Sequence, residues 1–475
     1  MPGKYDYDAV VVGAGPNGLA AAITLAVEGF SVLVLEAGQT IGGGARSAEL
    51  TLPGFIHDIC STIHPMGLAS PFFRELNLKQ YGLEWAHPEA PLAHPFDDGP
   101  AAVLERSTRE TAQTLGEDGE AYFKLMDPLV RDAGKIIKDI LGPFPFPPSY
   151  PVSMLRFGLP ALHSYQGLVE NRFKGERARG MFAALAAHSF LPPGRPVGAA
   201  FGLALGLTAH AVGWPLARGG SQKIVDAMAA HLRSLGGEIL TGTRVRSMSQ
   251  LPPAREVLFD LTPRQILEIA GDFFPDSYKR RLSGYRYGPG VFKIDWALSD
   301  PIPWKAPECS RAATVHLAGH LESIVASENG IWQGQVVDEP FVLLVQPTLF
   351  DCGRAPAGKH IGWAYCHVPH GSTVDMTSRI EAQVERFAPG FRDCIIGRSV
   401  MNTADMQEHN PNYIGGDING GVQDLGQLFT RPVARRVPYS TPNKNIYICS
   451  SSTPPGGSVH GMCGFHAAQA VLRKY

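Results

Sequence analysis

The sequence predicts an α/β protein, on three observations. A short β-branched run, Asp8-Ala-Val-Val-Val12, opens directly into glycines at 13, 15 and 18. A second apolar run, Ser31-Val-Leu-Val-Leu-Glu36, follows an alanine-rich stretch and ends on an acid. Much later, clean alternation in Val291-Phe-Lys-Ile-Asp-Trp-Ala-Leu298 marks strands of another kind, suited to an antiparallel or mixed sheet. The first two observations place strand, turn, helix, strand and acid in the order of a Rossmann unit.

Each glycine of the turn has its own task. Gly13 permits the tight turn, Gly15 lets the backbone approach a pyrophosphate, and Gly18 lets the helix pack hard on the strand. Pro16 and Asn17 open that helix, whose free N–H groups and positive end suit phosphates. Glu36 stands where an acid accepts hydrogen bonds from an adenosine ribose. The stretch that follows, Ala37-Gly-Gln-Thr-Ile-Gly-Gly-Gly-Ala-Arg46, resembles the glycine and arginine motif after the ribose acid in flavoproteins of the glutathione reductase type. The resemblance implies a glutathione-reductase-type FAD-binding Rossmann domain, with Ala37, Gly43, Gly44 and Arg46 at the cofactor and FAD in preference to NAD.

With 475 residues and 44% hydrophobic content, the chain can bury a large core divided among two or three domains. Its formal charge is -2 with no basic stripe, which excludes a nucleic-acid partner. The cysteines at 60, 309, 352, 366, 394, 449 and 463 are scattered and never spaced as CxxC. That pattern speaks against a disulfide framework, a metal site and a disulfide reductase, and it fits a reducing, cytoplasmic setting. Lys4 precedes the first strand without an apolar signal core, so no cleaved targeting segment is expected. Val197 to Trp214 lacks Asp, Glu, Lys and Arg, but its glycines, Thr208 and His210 fit a buried or cavity-lining helix better than a membrane span.

In chain order, His57 and His64 lie seven apart, but Pro53, Gly54 and Pro65 around them disfavour a regular helix, and both are expected to bond neighbouring backbone. Residues 85 to 105 read as turns and strands. Ser107 to Ile140 is helical, with Phe123, Met126, Leu129 and Val130 facing one core. Gly142 to Pro151, rich in proline and aromatics, reads as a stiff linker; the alternative is an apolar lip that touches a membrane or admits a greasy substrate. Ser221 is a natural N-cap for a helix that stops at Gly236-Gly237, and a strand leads from there to Val245. Only Arg246 to Pro253 separates Val245 from the next apolar strand, Glu256 to Pro263. Phe341 to Gln346 and His360 to Val368 add strands to the second sheet. Met376, Ile380, Val384 and Phe387 then mark a helix with a charged, solvated face.

The closing stretch, Asn445-Ile-Tyr-Ile-Cys449 through Gly456, His460 and Gly464 to His466, is a strand, a Pro/Gly loop and an alanine-rich helix. It resembles the final motif of the phytoene desaturase-like FAD oxidoreductases, and the likeness extends over almost the whole chain. Within that family the chain is most similar to a subgroup named after a pyridine nucleotide-disulphide oxidoreductase domain. The resemblance implies that Ser450, Val459, His460, Gly461 and Met462 hold the flavin, with Val245 near the adenine. It implies an FAD domain formed by residues 1-85, 216-272 and 425-475, a helical lid region at 86-215, and a mixed-sheet substrate domain at 273-424. The positive end of the helix near Gly461 would then meet the flavin edge where negative charge gathers on reduction. His460 is a candidate catalytic group or a plain flavin contact. Lys293 resembles the lysine that amine oxidases hold near flavin N5; a surface lysine is the other reading. The expected reaction is hydride transfer between flavin and a long apolar polyene, isoprenoid or lipid, most simply a desaturation. A redox-neutral isomerase, a saturase, an FAD-stabilised interaction protein and an amine oxidase remain alternatives. Catalysis further requires an electron acceptor, which no residue names.

Overall fold

The computed structural model describes residues 5–144 and 147–475. Apolar on both faces, Tyr7–Val12 takes the centre of a five-stranded sheet. The order is Ile446–Ile448, Ala254–Phe259, Tyr7–Val12, Val32–Leu35, Glu238–Leu240, and every pairing is parallel. Val10 pairs with Val257 on one side and with Leu33 on the other. Ala9, Val11, Val32 and Val34 cluster with residues of the helices Pro16–Val27 and Gln222–Ser234. Val10, Val12, Leu33 and Phe259 cluster on the opposite face with Ile266, Phe274 and Tyr278.

The last helix, Met462–Leu472, closes the same layer. It approaches Pro16–Val27 so closely that a Cβ on Gly464 would overlap the Asn17 carbonyl oxygen and lie 2.7 Å from its carbon. The two ends of the chain therefore meet over the glycine turn.

A seven-stranded mixed sheet forms the second body, in the order Ile395–Met401, Gly290–Leu298, His360–Val368, Val342–Val345, Ala312–Leu317, Ala90–His94, Ala102–Leu104. Its pairings are antiparallel except between Ala312–Leu317 and Ala90–His94. The alternation read in Val291 to Leu298 separates two faces. Phe292, Ile294, Trp296 and Leu298 join a core with Ile380, Val384 and Phe387 of the helix Thr377–Phe387. Lys293 and Asp295, with Trp363 and Tyr365 opposite them in register, belong to the other face.

Helices at 108–114, 119–131, 133–140, 151–161, 165–172, 176–187 and 198–211 make a third layer. Gly198–Ala211 is the expected cavity-lining helix, and Gly202 lets it close on Phe182 and Ala186 of Glu176–Ala187. Among the described residues, no helix is long and apolar enough to cross a membrane.

The structure differs from the sequence reading in three local respects. Residues 85 to 105 hold strands as read, but Ala90–His94 and Ala102–Leu104 join the large sheet and not the helical region with which they were grouped, and all of Ala90–His94 is buried. In Gly119–Arg131 the buried apolar residues are Tyr122, Leu125, Met126 and Leu129, while Phe123 lies under the Arg109 guanidinium. Ser221 does not cap its helix through its side chain; its hydroxyl donates to the Ser61 carbonyl and meets His64 Nε2 at 2.8 Å. Tertiary partners outcompete the local cap. Pro145 and Phe146 of the proline-rich stretch lie outside the described residues.

Candidate functional site: a dinucleotide cradle and an adjoining chamber

The cradle follows from the glycine turn. Gly13 adopts φ +107°, which disfavours a side chain, and a Cβ on Gly18 would overlap the Gly13 carbonyl oxygen. Helix Pro16–Val27 therefore starts hard against the strand, with Gly15 as its N-cap and no cap from that residue's own side chain. Gly43 faces that opening: its Cβ would stand 3.3 Å from Gly15 Cα. Two glycine runs thus face each other across a groove without side chains.

Glu36 closes one end of the groove. Its Oε2 accepts the Ala14 N–H at 2.9 Å; its Oε1 accepts the Gly38 N–H at 2.8 Å and an Arg46 N–H at 3.1 Å. The Thr243 N–H donates to the Glu36 carbonyl at 2.8 Å, which sets Val245 beside the same groove.

Asp260, from the end of Ala254–Phe259, was not singled out in the sequence. Its Oδ2 accepts the Gly18 N–H at 2.9 Å, and a Cβ on Gly15 would fall 2.7 Å from that oxygen. Burial, with Glu36 adding to it, pushes this carboxyl well above the usual range. The carboxyl is held toward its neutral form.

At the other end the chain turns at Ser450, where Thr453 bonds back to the Ser450 carbonyl, and returns through Val459 and His460. His460 Nδ1 accepts the Met462 N–H at 3.0 Å, so its proton sits on Nε2, which has no partner. Burial lowers its pKa to about 4 and keeps it neutral at pH 7. The ring is a fixed, uncharged donor.

Cradle and C-terminal turn belong to one cavity of about 1480 Å3. That exceeds the roughly 300–1,000 Å3 of an ordinary ligand pocket. A dinucleotide and a second molecule have room together.

The profile of an NAD(P)-binding Rossmann-like domain matches residues 11–76. The chain is 25% identical to pyridine nucleotide-disulfide oxidoreductase domain-containing protein 2 of Mus musculus, covering 99% of this chain and 94% of the mouse protein. It is 22% identical to a lycopene-forming phytoene desaturase of a Paracoccus species, covering 98% and 96%. The chain is homologous to the FAD-type oxidoreductases. A solved oxidoreductase of Methanosarcina mazei shares the fold, with a TM-score of 0.68 at 16% identity over 98% of this chain and 99% of that one.

The two ends of the chain build one site, and its residues fit a flavin dinucleotide. Gly13, Gly15, Pro16, Asn17, Glu36, Ala37, Gly43, Gly44, Arg46, Val245, Val459 and His460 all line the cavity. Gly18, Ser450, Gly461 and Met462 stand behind it: Gly18 under the turn, Gly461 against Phe72 and Ala20, Ser450 and Met462 through the bonds already described. Lys293 is also set back. It is buried in an ion pair with Asp295, whose second oxygen lies 3.5 Å from His57 Nδ1, and its ammonium is 6.0 Å from the Trp363 ring centre. His460 therefore has a direct place at the cavity and Lys293 an indirect one, behind Trp363.

One further group escaped the sequence reading. Asn410, Asn412 and Tyr413 join the cradle wall; Asn412 accepts the Thr262 N–H at 2.8 Å and donates to the Asp260 carbonyl at 3.2 Å. His64 lines the cavity as well, although its bond goes to Ser221 and not to neighbouring backbone. Among the described residues, no cluster of His, Cys, Asp or Glu could hold a metal ion.

Proposed function

We propose that this protein is an FAD-dependent oxidoreductase that moves a hydride between the flavin and a long apolar substrate, in the desaturating direction. The observation that carries this reading is the continuity of the dinucleotide cradle with an apolar chamber. Phe157, Phe201, Leu205, Leu343, Val345 and Trp363 line that chamber, beyond Val459 and His460. Apolar burial at about 25 cal/mol per Å2 supplies the binding energy for a substrate with few polar handles. Bound FAD supplies two-electron acceptance at its ring. The chain's own contribution is to hold the ring at Val459 and His460 and to donate one hydrogen bond from His460 Nε2. The helix from Met462 presents its positive end there, and the aromatic wall excludes water. The substrate would give up two hydrogens from neighbouring carbons, a hydride to the bound flavin and a proton that balances the charge the flavin gains, leaving a double bond.

Anaerobic mixing of the FAD-loaded protein with isoprenoid and fatty-acyl lipids tests the reading. Bleaching of the flavin with formation of an alkene supports it. Product that forms only after prior chemical reduction shows an isomerase or saturase, and a flavin that no lipid reduces favours an interaction protein.

The chamber mouth also suits contact with a lipid surface. Phe144, Leu155, Leu162 and Phe429 line the cavity and yet are 48%, 60%, 54% and 50% exposed. Val152 and Leu159 extend the same helix face into solvent. The Phe144 and Phe429 rings meet edge-on, with centres 5.7 Å apart. Replacing Leu155 and Leu159 by Asp should weaken cosedimentation with phospholipid vesicles about tenfold or more, leaving the flavin spectrum intact. Unchanged cosedimentation would remove the membrane contact from the proposal.

A further inference from the structure

The chamber wall carries a polar group that a pure hydrocarbon would leave unmet. His188 follows the helix Glu176–Ala187 and lines the cavity. Its Nε2 lies 3.0 Å from Nε2 of His316, a fully buried residue of Ala312–Leu317, on the sheet face that also carries Trp363 and Tyr365. Burial drives the His188 pKa down to about 3 and that of His316 well below its ordinary value, so both rings are neutral at pH 7.

Two neutral imidazoles that meet through Nε2 place one proton between them. Nδ1 of His316 has no partner. Were the shared proton supplied by His188, His316 would have to keep its own proton on that buried Nδ1 as an unmet donor. Supplied by His316, it leaves only an unmet acceptor there, which is the better tolerated defect in a protein interior. His316 therefore donates to His188, and the His188 proton sits on Nδ1, the nitrogen left for the cavity. A second donor on the same wall, Trp363 Nε1, is likewise buried without a partner.

We infer that the chamber's ligand carries an oxygen acceptor, a carbonyl or carboxyl group on an otherwise apolar body, and that His188 Nδ1–H receives it. This rests on the chamber being the substrate site and narrows its substrate class from hydrocarbon to oxygenated lipid. His188 is then a specificity-determining residue, oriented by His316.

The test is calorimetric titration of the FAD-loaded protein with methyl oleate, oleate and octadecene. The oxygenated ligands should bind about tenfold tighter than the alkene, the worth of one buried hydrogen bond. His188→Leu should bring them down to the alkene's affinity, and His188→Gln, which retains an N–H donor, should restore much of the preference. A stronger preference for oleate assigns a carboxylate, and for methyl oleate a neutral carbonyl. Equal binding of all three by the unaltered protein, or a preference that survives His188→Leu, overturns the inference and leaves the chamber reading standing. Binding of none overturns both.

Discussion

Acidification from pH 7.5 to 5 should unfold this protein or bring it close to unfolding. His64, His94 and His460 are almost wholly buried, and burial lowers each pKa to about 4. In the unfolded chain a histidine protonates near pH 6.5. A folded pKa below the unfolded one means that the unfolded state binds the proton first, so the contribution is complete above about pH 6.5 and is lost as pH falls toward 4. At pH 5 each of the three has lost about 2 kcal/mol, or about 6 kcal/mol together, against a typical total stability of about 5–15 kcal/mol. Asp260 acts in the opposite sense. Its raised folded pKa makes its penalty shrink on acidification, which offsets part of the loss. Asp58, buried yet held down to about 2 by Arg354, keeps its contribution throughout this window, because its loss begins only near the ordinary carboxylate pKa. Urea denaturation midpoints across the pH series would show the effect, and a flat profile between pH 7 and 5 would refute it.

Gly464→Ala should detach the cofactor. The new methyl would overlap the Asn17 carbonyl oxygen and approach Ala21 N to 2.8 Å, and these are backbone atoms of the helix that opens the pyrophosphate groove. Backbone cannot turn aside as a side chain can, so Met462–Leu472 must lift from Pro16–Val27. Overpacking of this kind destabilises by about 1–3 kcal/mol or more. The shift also moves Val459 and His460 away from the place they share with the glycine turn. Purified Gly464→Ala protein should retain less than about a tenth of the normal FAD, by flavin absorbance per chain, together with a lower melting temperature. Gly134→Ala is the contrast: a Cβ there meets nothing within 4 Å, its helical backbone accepts alanine, and stability should hold or rise slightly. Full FAD occupancy in the Gly464→Ala protein would mean that the two chain ends do not hold one cofactor.

Much of the cradle was legible because its information is local. Gly13, Gly15, Gly18 and Glu36 lie within one strand–helix–strand unit, and backbone strain together with close helix packing restricts what can stand at each position. The apolar character of Gly198–Ala211 likewise marked it as a wall of a cavity. Asp260 was not legible: one acid at a strand end looks like many others until parallel pairing of Val12 with Phe259 carries it under the turn. The same holds for Ser221, whose sequence offers a cap and whose position offers the Ser61 carbonyl and His64.

By itself the sequence determined the strand–turn–helix at the start of the chain, the acid that follows it, the two faces of Val291–Leu298, and the final strand and helix. Which face of the large sheet looks into the chamber, that Lys293 stands behind Trp363, and that His188 meets His316 were decided only by tertiary structure. The physical reason is range. Turn strain and periodicity act between residues a few positions apart, whereas a cavity wall is chosen by the joint packing of strands and helices that the chain brings together from far-separated positions.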